Sequence, residues 1–293
     1  MTPLLEVTDL TKKLGDFSLS NISFSLEPGY ILGIIGLNGS GKTSLLRTII
    51  NLYEPDGGSV KVGGISMAGQ EKNAKEQIGT VLDEDFFDET LTPEKNAAFY
   101  GSYYPYFDMD IFRETCRRLE IPLDQKVKKL SRGIRTKMQF AFALAHRSKL
   151  YLMDEPAGGL DPRFRKNLIS CMQEIVESGE RSIVFSTHLT QDLDKVADYI
   201  LMMHNGKAVF CVNKEELRGN FCLIRGTKEE IDAFPPAWIA GKEHGLYHSE
   251  ALLHLLEENR SLFRNMPAPE LSSILYYLER GTENVETDVS KIN

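Results

Sequence analysis

Eight consecutive residues, "GLNGSGKT" from Gly36 to Thr43, carry the strongest chemical signal in the sequence. They match GxxxxGK[ST] without a gap, the Walker A pattern of a phosphate-binding loop. Gly36, Gly39 and Gly41 permit a tight backbone path, so that amide groups surround phosphate oxygens where side chains would obstruct them. Lys42 can then reach the β- and γ-phosphates, and the Thr43 hydroxyl can coordinate Mg²⁺. Asn38, Ser40 and Ser44 complete the candidate nucleotide contacts. The preceding "YILGIIG" is apolar on both faces, as in a buried central strand. A helix is expected from near Gly41, with Leu45, Leu46, Ile49 and Ile50 toward the core and its N-terminus adding favourable partial positive charge.

Asp154 and Glu155 follow the apolar run Leu150 to Met153. Two acids at the mouth of a sheet can divide the hydrolysis of a phosphate bond: Asp154 assists the metal, and Glu155 orients or deprotonates the attacking water. His188 stands two residues after the strand "SIVFS", which ends at Ser186. An imidazole there can hydrogen-bond the γ-phosphate or the water and so sense whether the terminal phosphate remains.

The elements that must position these residues alternate strand and helix, which specifies an α/β sandwich. At 293 residues, 42% hydrophobic and 26% charged, the chain has the balance of a globular protein with one large domain and a smaller appendage. Short runs in Leu4–Leu10 and Phe17–Leu26 read as strands of an antiparallel β subdomain. A helical subdomain rich in aromatics is expected near residues 85–135, interrupted by Pro93, Pro105 and Pro122. Helices follow at Thr136–His146, Phe164–Glu177 and Gln191–Ala197, and strands at Tyr199–Met203 and Lys207–Val212 form a hairpin through His204, Asn205 and Gly206. Residues 1–219 are thus read as a nucleotide-binding domain and 220–293 as a small α+β accessory region. Within that region Ser249–Phe263 and Pro269–Arg280 show helical periodicity, and Gly281 onward is a polar tail. Trp238 is assigned to local packing, with a partner contact as the alternative.

The net charge of -8 argues against an electrostatic grip on nucleic acid. Four widely spaced cysteines without a CxxC pair suggest reduced thiols in a cytosolic protein rather than a metal site or disulfide framework. The sequence has neither a secretory signal nor a run of the roughly 18–20 apolar residues that crosses a bilayer as a helix.

The order of "GLNGSGKT", "LSRGI" (Leu130 to Ile134), "LYLMDEP", "GGLDP" (Gly158 to Pro162) and "STH" (Ser186 to His188) resembles the ABC ATPase family across about Leu4 to Val212. The resemblance implies a P-loop core and a head-to-tail pair of ATPase domains, in which Ser131 and Gly133 of one subunit close over ATP held at Lys42 of the other. It places Asp161 in the loop between the opposed sites. Three positions depart from the family pattern: Arg132 and Ile134 replace the first glycine and the glutamine of LSGGQ, and Asp83 stands where relatives carry a glutamine that contacts Mg²⁺ or water. Asp83 is therefore either a contact to the metal or a solvated acid. Phe17 is the candidate to stack on adenine, with a core role as the alternative.

The implied partners are a second copy or a matched ATPase and a separate transmembrane permease, with a coupling helix received by Asp85–Leu130 and the chain held peripherally on the inner face of the membrane. "LSRGIRTKM" and Asp83 look like bacterial exporters of the YtrB-like group. The alternatives are a soluble ATPase acting on nucleic acid or ribosomes, and a regulatory dimerisation module.

Overall fold

The computed structural model describes residues 2–84, 86–158, 160 and 162–284. It opens with a hairpin of β1 (Leu5–Leu14) and β2 (Phe17–Leu26), in which every apolar residue of β2 from Leu19 onward is buried. β3 (Ile31–Ile35) is buried at all five residues, as its unbroken apolar run requires of a strand covered on both faces. It leads through the glycine-rich loop into α1 (Lys42–Ile49). β4 (Gly57–Val62) and β5 (Ile65–Ser66) return to the hairpin and complete an antiparallel sheet of order β2-β1-β4-β5.

α2 (Glu71–Lys75) precedes β6 (Ile78–Val81), and the inserted helices follow. α3 (Pro93–Gly101) is capped by Thr92 and has Pro93 in its first turn, where a missing N–H costs nothing. α4 (Met109–Arg118) is capped by Asp108, which accepts from the N–H groups of Asp110 and Ile111. α5 (Arg132–Ala145) begins four residues before the helix expected from Thr136, because the Ser131 side chain caps it by accepting from Ile134 N–H. The core then alternates β7 (Leu150–Met153), α6 (Pro162–Val176), β8 (Ser182–Ser186), α7 (Thr190–Val196), β9 (Tyr199–His204) and β10 (Lys207–Asn213).

These strands form a six-stranded sheet of order β10-β9-β3-β8-β7-β6. β3, β8, β7 and β6 run parallel in direct succession, so their carboxyl ends share one edge. The β9–β10 turn, with φ of 45° at Asn205 and 76° at Gly206, has two residues rather than the three expected, because His204 is the last residue of β9.

The chain divides into two compact units: one through His188 together with Leu201–Val209, the other Leu189–Ile200 and the chain from Phe210. The second unit contains α8 (Lys214–Gly219), β11 (Phe221–Gly226), α9 (Lys228–Asp232), β12 (Ile239–His244), β13 (Ser249–His254) and α10 (Leu271–Asn284). The helical expectation for Ser249–Phe263 is corrected here: its first six residues are β13, the middle strand of an antiparallel sheet of order β11-β13-β12. Ala251 and Leu253 pack with Ile231 of α9, while α10 also lies against β12 and β13. An apolar run covered on both faces suits a central strand as well as a helix. The expected helix at Pro269–Arg280 is α10, and the polar tail beyond residue 284 lies outside the described residues. Trp238 is half-buried and donates its indole N–H to Glu258 at 2.7 Å.

Among the described residues no helix is long and apolar enough to cross a membrane. The four cysteines are unpaired, and burial raises the pKa of each thiol. His146, at the end of α5, is 4% exposed, and its ring centroid lies 3.9 Å from that of Tyr104. Burial lowers its pKa from 6.5 to about 4. In this window the unfolded chain takes up a proton that the folded chain refuses, so stability falls as the pH drops from 6.5 towards 4. The loss should reach roughly 3 kcal/mol, and His146→Gln should flatten the pH dependence of the denaturant midpoint. An unchanged slope in the variant would remove His146 as the cause.

Candidate functional site

The carboxyl ends of β3, β6, β7 and β8 bring the Lys42 loop, Asp83, Asp154, Glu155 and His188 to one edge of the parallel sheet, where open α/β sheets receive ligands, whereas Phe17, Ser131 and Gly133 come from other elements. The loop after β3 needs its glycines. A Cβ on Gly36 would stand 2.2 Å from the Met203 carbonyl oxygen, and one on Gly41, at φ 106°, would stand 2.7 Å from the Phe17 ring. Lys42 is 6% exposed, and its ammonium donates to the carbonyls of Gly36 at 2.7 Å and Leu37 at 3.2 Å. It thus lies folded back over the mouth of the loop. Asn38 and Gly39 are exposed at the tip, as is Thr43 on the first turn of α1, whereas Ser44 is half-buried and its carbonyl accepts from Thr48. Ser40 is 4% exposed, and its Oγ has no hydrogen-bond partner among the described residues.

The hairpin turn between β9 and β10 braces this loop from behind. Gly206 N–H donates to Ser40 O at 2.9 Å, and Gly206 O accepts from Ser20 N–H at 2.9 Å. Phe17 is half-buried between these parts, against Gly41 and Gly206.

Beside the loop, Asp154 is 5% exposed and Glu155 is partly open. Ser186 joins the two, its hydroxyl donating to Asp154 Oδ1 at 2.6 Å and accepting from Glu155 N–H at 2.8 Å. Glu155 adopts φ 46°, an uncommon value for a residue with a side chain, where the chain turns so that Gly158 N–H reaches Glu155 O at 2.9 Å. That turn brings Glu155 Oε2 to 2.8 Å from His188 Nδ1. Sequence reasoning assigned Glu155 and His188 separately and gave Ser186 no role. The signal was available, since Ser186 ends the strand that leads to His188.

Ser131 and Gly133 lie at the N-terminus of α5. As cap, the Ser131 hydroxyl accepts a hydrogen bond and keeps its own proton to donate. A Cβ on Gly133 would press on Leu160 Cδ2 at 3.1 Å. Arg132 forms an ion pair with Asp83, so two of the three departures from the family pattern are each other's partner. Asp161, assigned above to the loop between opposed sites, lies outside the described residues, as does Asp85.

No group of three or more acidic, histidine or cysteine side chains arranged to hold a metal occurs among the described residues. The donor types fit Mg²⁺ nonetheless: this ion keeps waters and phosphate oxygens and takes only one or two carboxylates, and the buried carboxylate of Asp154 and the exposed hydroxyl of Thr43 are oxygen ligands of that kind.

A cavity of about 530 Å³ lies between the nucleotide core and the inserted helices, lined in part by Arg47, Tyr53, Leu82, Phe86, Tyr100 and Tyr103. Phe86 and Tyr103 are exposed at 42% and 67%. Phe86 packs edge-on to Tyr100 at 5.5 Å between ring centroids.

A family model described as "ABC transporter" matches residues 19–158. That stretch contains the loop, Asp83, Ser131 and Glu155 but ends before Ser186 and His188. An uncharacterised ABC transporter ATP-binding protein of Bacillus subtilis (strain 168), YdbJ, is 31% identical over 208 residues, covering 70% of this chain and 68% of that protein. The ABC transporter ATP-binding protein YtrB of the same organism is 27% identical over 223 residues, covering 76% of each. Relatives at comparable identity therefore favour no single branch, YtrB-like or other. A solved structure described as the ATP-binding subunit of an ABC transporter superposes with a TM-score of 0.67 at 26% identity, covering 73% of this chain and 92% of that one.

Proposed function

Because the chain belongs to the family of ABC transporter ATP-binding proteins, we propose that it is a Mg²⁺-dependent ATPase that closes with a second copy, or a matched ATPase, around ATP and drives a separate membrane permease. The observation that carries this reading is the shared sheet edge, which sets the Lys42 loop beside the Ser186-linked Asp154–Glu155 pair and its His188 partner. Residues 1–219 form the engine in this reading, and 220–293 the accessory region.

On nucleotide binding, Lys42 exchanges the Gly36 and Leu37 carbonyls for the β- and γ-phosphate oxygens, while the loop amides and the buried Ser40 hydroxyl meet the remaining oxygens. Thr43 and Asp154 would hold Mg²⁺, which neutralises phosphate charge. Phe17 offers its ring to the base. Glu155 takes the proton of the attacking water, and His188 fixes the carboxylate orientation and reads the γ-phosphate. Ser131 and Gly133 complete the opposed subunit's site, so an isolated subunit is a poor catalyst.

The aromatic-lined cavity beside the inserted helices is the place for a permease coupling helix, and attachment there would keep the chain at the inner face of the membrane. Export is the direction we propose, on the likeness of "LSRGIRTKM" to exporters whose ATPase and permease are separate chains. A permease purified with the chain in mild detergent should raise its ATP turnover when added back. Tyr103→Glu should abolish both association and stimulation while leaving nucleotide binding intact. Turnover indifferent to the added permease would overturn the coupling.

A further inference from the structure

β8 is apolar through its middle, at Ile183, Val184 and Phe185, and ends in Ser186, which is 0% exposed. A hydroxyl at a fully buried position is costly unless its hydrogen bonds are made. Those of Ser186 lead to the two acids of the site. A backbone N–H can only donate, so the Ser186 oxygen accepts from Glu155 at 2.8 Å and its one proton goes to Asp154 Oδ1 at 2.6 Å. Ser182, at the other end of the same strand, donates instead to a main-chain carbonyl, that of Glu27 at 2.9 Å.

The main chain of Glu155 needs this support. Asp154 N–H still follows the sheet, donating to Val81 O at 2.8 Å, but Glu155 leaves it at φ 46°. A residue with a side chain keeps such a value only where its surroundings enforce it. Ser186 holds the Glu155 N–H and Gly158 N–H holds its carbonyl at 2.9 Å, and from that conformation the carboxylate reaches His188 Nδ1 at 2.8 Å. The contacts run in series from Asp154 through Ser186 and Glu155 to His188. We propose that Ser186 is a positioning residue for hydrolysis: oriented by Asp154, it fixes the main chain of Glu155 so that the carboxylate stands where it takes the proton of the attacking water. The proposal rests on the reading of Glu155 as the base. It registers that base against the carboxylate assigned to Mg²⁺ through one hydroxyl, so the two do not shift independently.

Ser186→Ala removes the hydroxyl without adding volume. Its kcat should fall by about ten- to a hundredfold, the loss that follows from a misplaced catalytic group. The Kd for ATP with Mg²⁺, read by fluorescence titration, should change by less than about twofold, since the contact acts on the chemical step. Ser186→Thr keeps the hydroxyl and should restore kcat to within about threefold. Added to Glu155→Gln, Ser186→Ala should lower the residual turnover no further, because no base is left to position. Hydrogen exchange supplies a readout apart from turnover: the Glu155 amide should exchange faster in Ser186→Ala while Ile183, Val184 and Phe185 stay protected. A native kcat in Ser186→Ala, a Thr variant as slow as the Ala variant, or a full further loss on Glu155→Gln overturns the role. So does a parallel fall in kcat and ATP affinity, or lost protection throughout β8, either of which marks a general loosening of the fold. If Glu155→Gln itself turns over normally, the reading of Glu155 as base fails, and the role of Ser186 with it.

Discussion

Glu155→Gln should lower steady-state ATP turnover by roughly 10²- to 10⁴-fold, the range associated with losing a positioned general base. ATP affinity should change little, because Glu155 lies beyond the loop that grips the phosphates. The substitution keeps the shape of the side chain, and its amide can still hydrogen-bond His188, which stands 2.8 Å from the carboxylate in the native chain. What is removed is the ability to take a proton from water. Binding without hydrolysis should therefore accumulate a closed, ATP-dependent dimer visible by size-exclusion chromatography. Near-normal turnover would sink the assignment of Glu155 as base.

Lys42→Ala should act one step earlier. The native ammonium is 6% exposed and has carbonyl partners at 2.7 and 3.2 Å, so it is directed and largely shielded from water. Its contacts to phosphate are charge-assisted hydrogen bonds of about 1.5–3 kcal/mol each. Losing them should raise the Kd for ATP by roughly 10- to 100-fold, with turnover falling in parallel at sub-saturating nucleotide. A fluorescence titration with a nucleotide analogue measures this directly. An unchanged titration would contradict the role given to Lys42, provided thermal unfolding shows the variant folded.

The residues whose work depends on local chain geometry were legible in the sequence. A glycine-rich turn between a strand and a helix has one mechanical solution, and acids or histidines at strand ends must emerge at the edge of the sheet. Asn205 and Gly206 likewise announced their hairpin through the positive φ values it demands. What escaped depended on partners distant in the chain. Ser186 acquires its function from two residues more than thirty positions earlier, Asp154 and Glu155. β13 reads as a helix until α9 and α10 are seen to cover both faces of its sheet. The start of α5 was obscured because Ser131, Arg132 and Gly133 read as a loop, and only the Ser131 cap shows that the helix already includes Arg132. Asp83 and Arg132 each looked like an isolated irregularity, and pairing across 49 positions is invisible to local pattern.

The brace between Gly206 and Ser40 has a thermodynamic consequence. A free loop of this length would surrender on the order of 1–2 kcal/mol of backbone entropy per residue each time a nucleotide ordered it. Here a hairpin from the far end of the domain holds one of the central loop residues through its main chain, so part of that loss is met once, at folding, rather than at every catalytic cycle. The protein thereby spends fold stability to keep its substrate cradle in shape between turnovers, and the entropy of nucleotide association should depend as much on the β9–β10 turn as on any residue that touches phosphate.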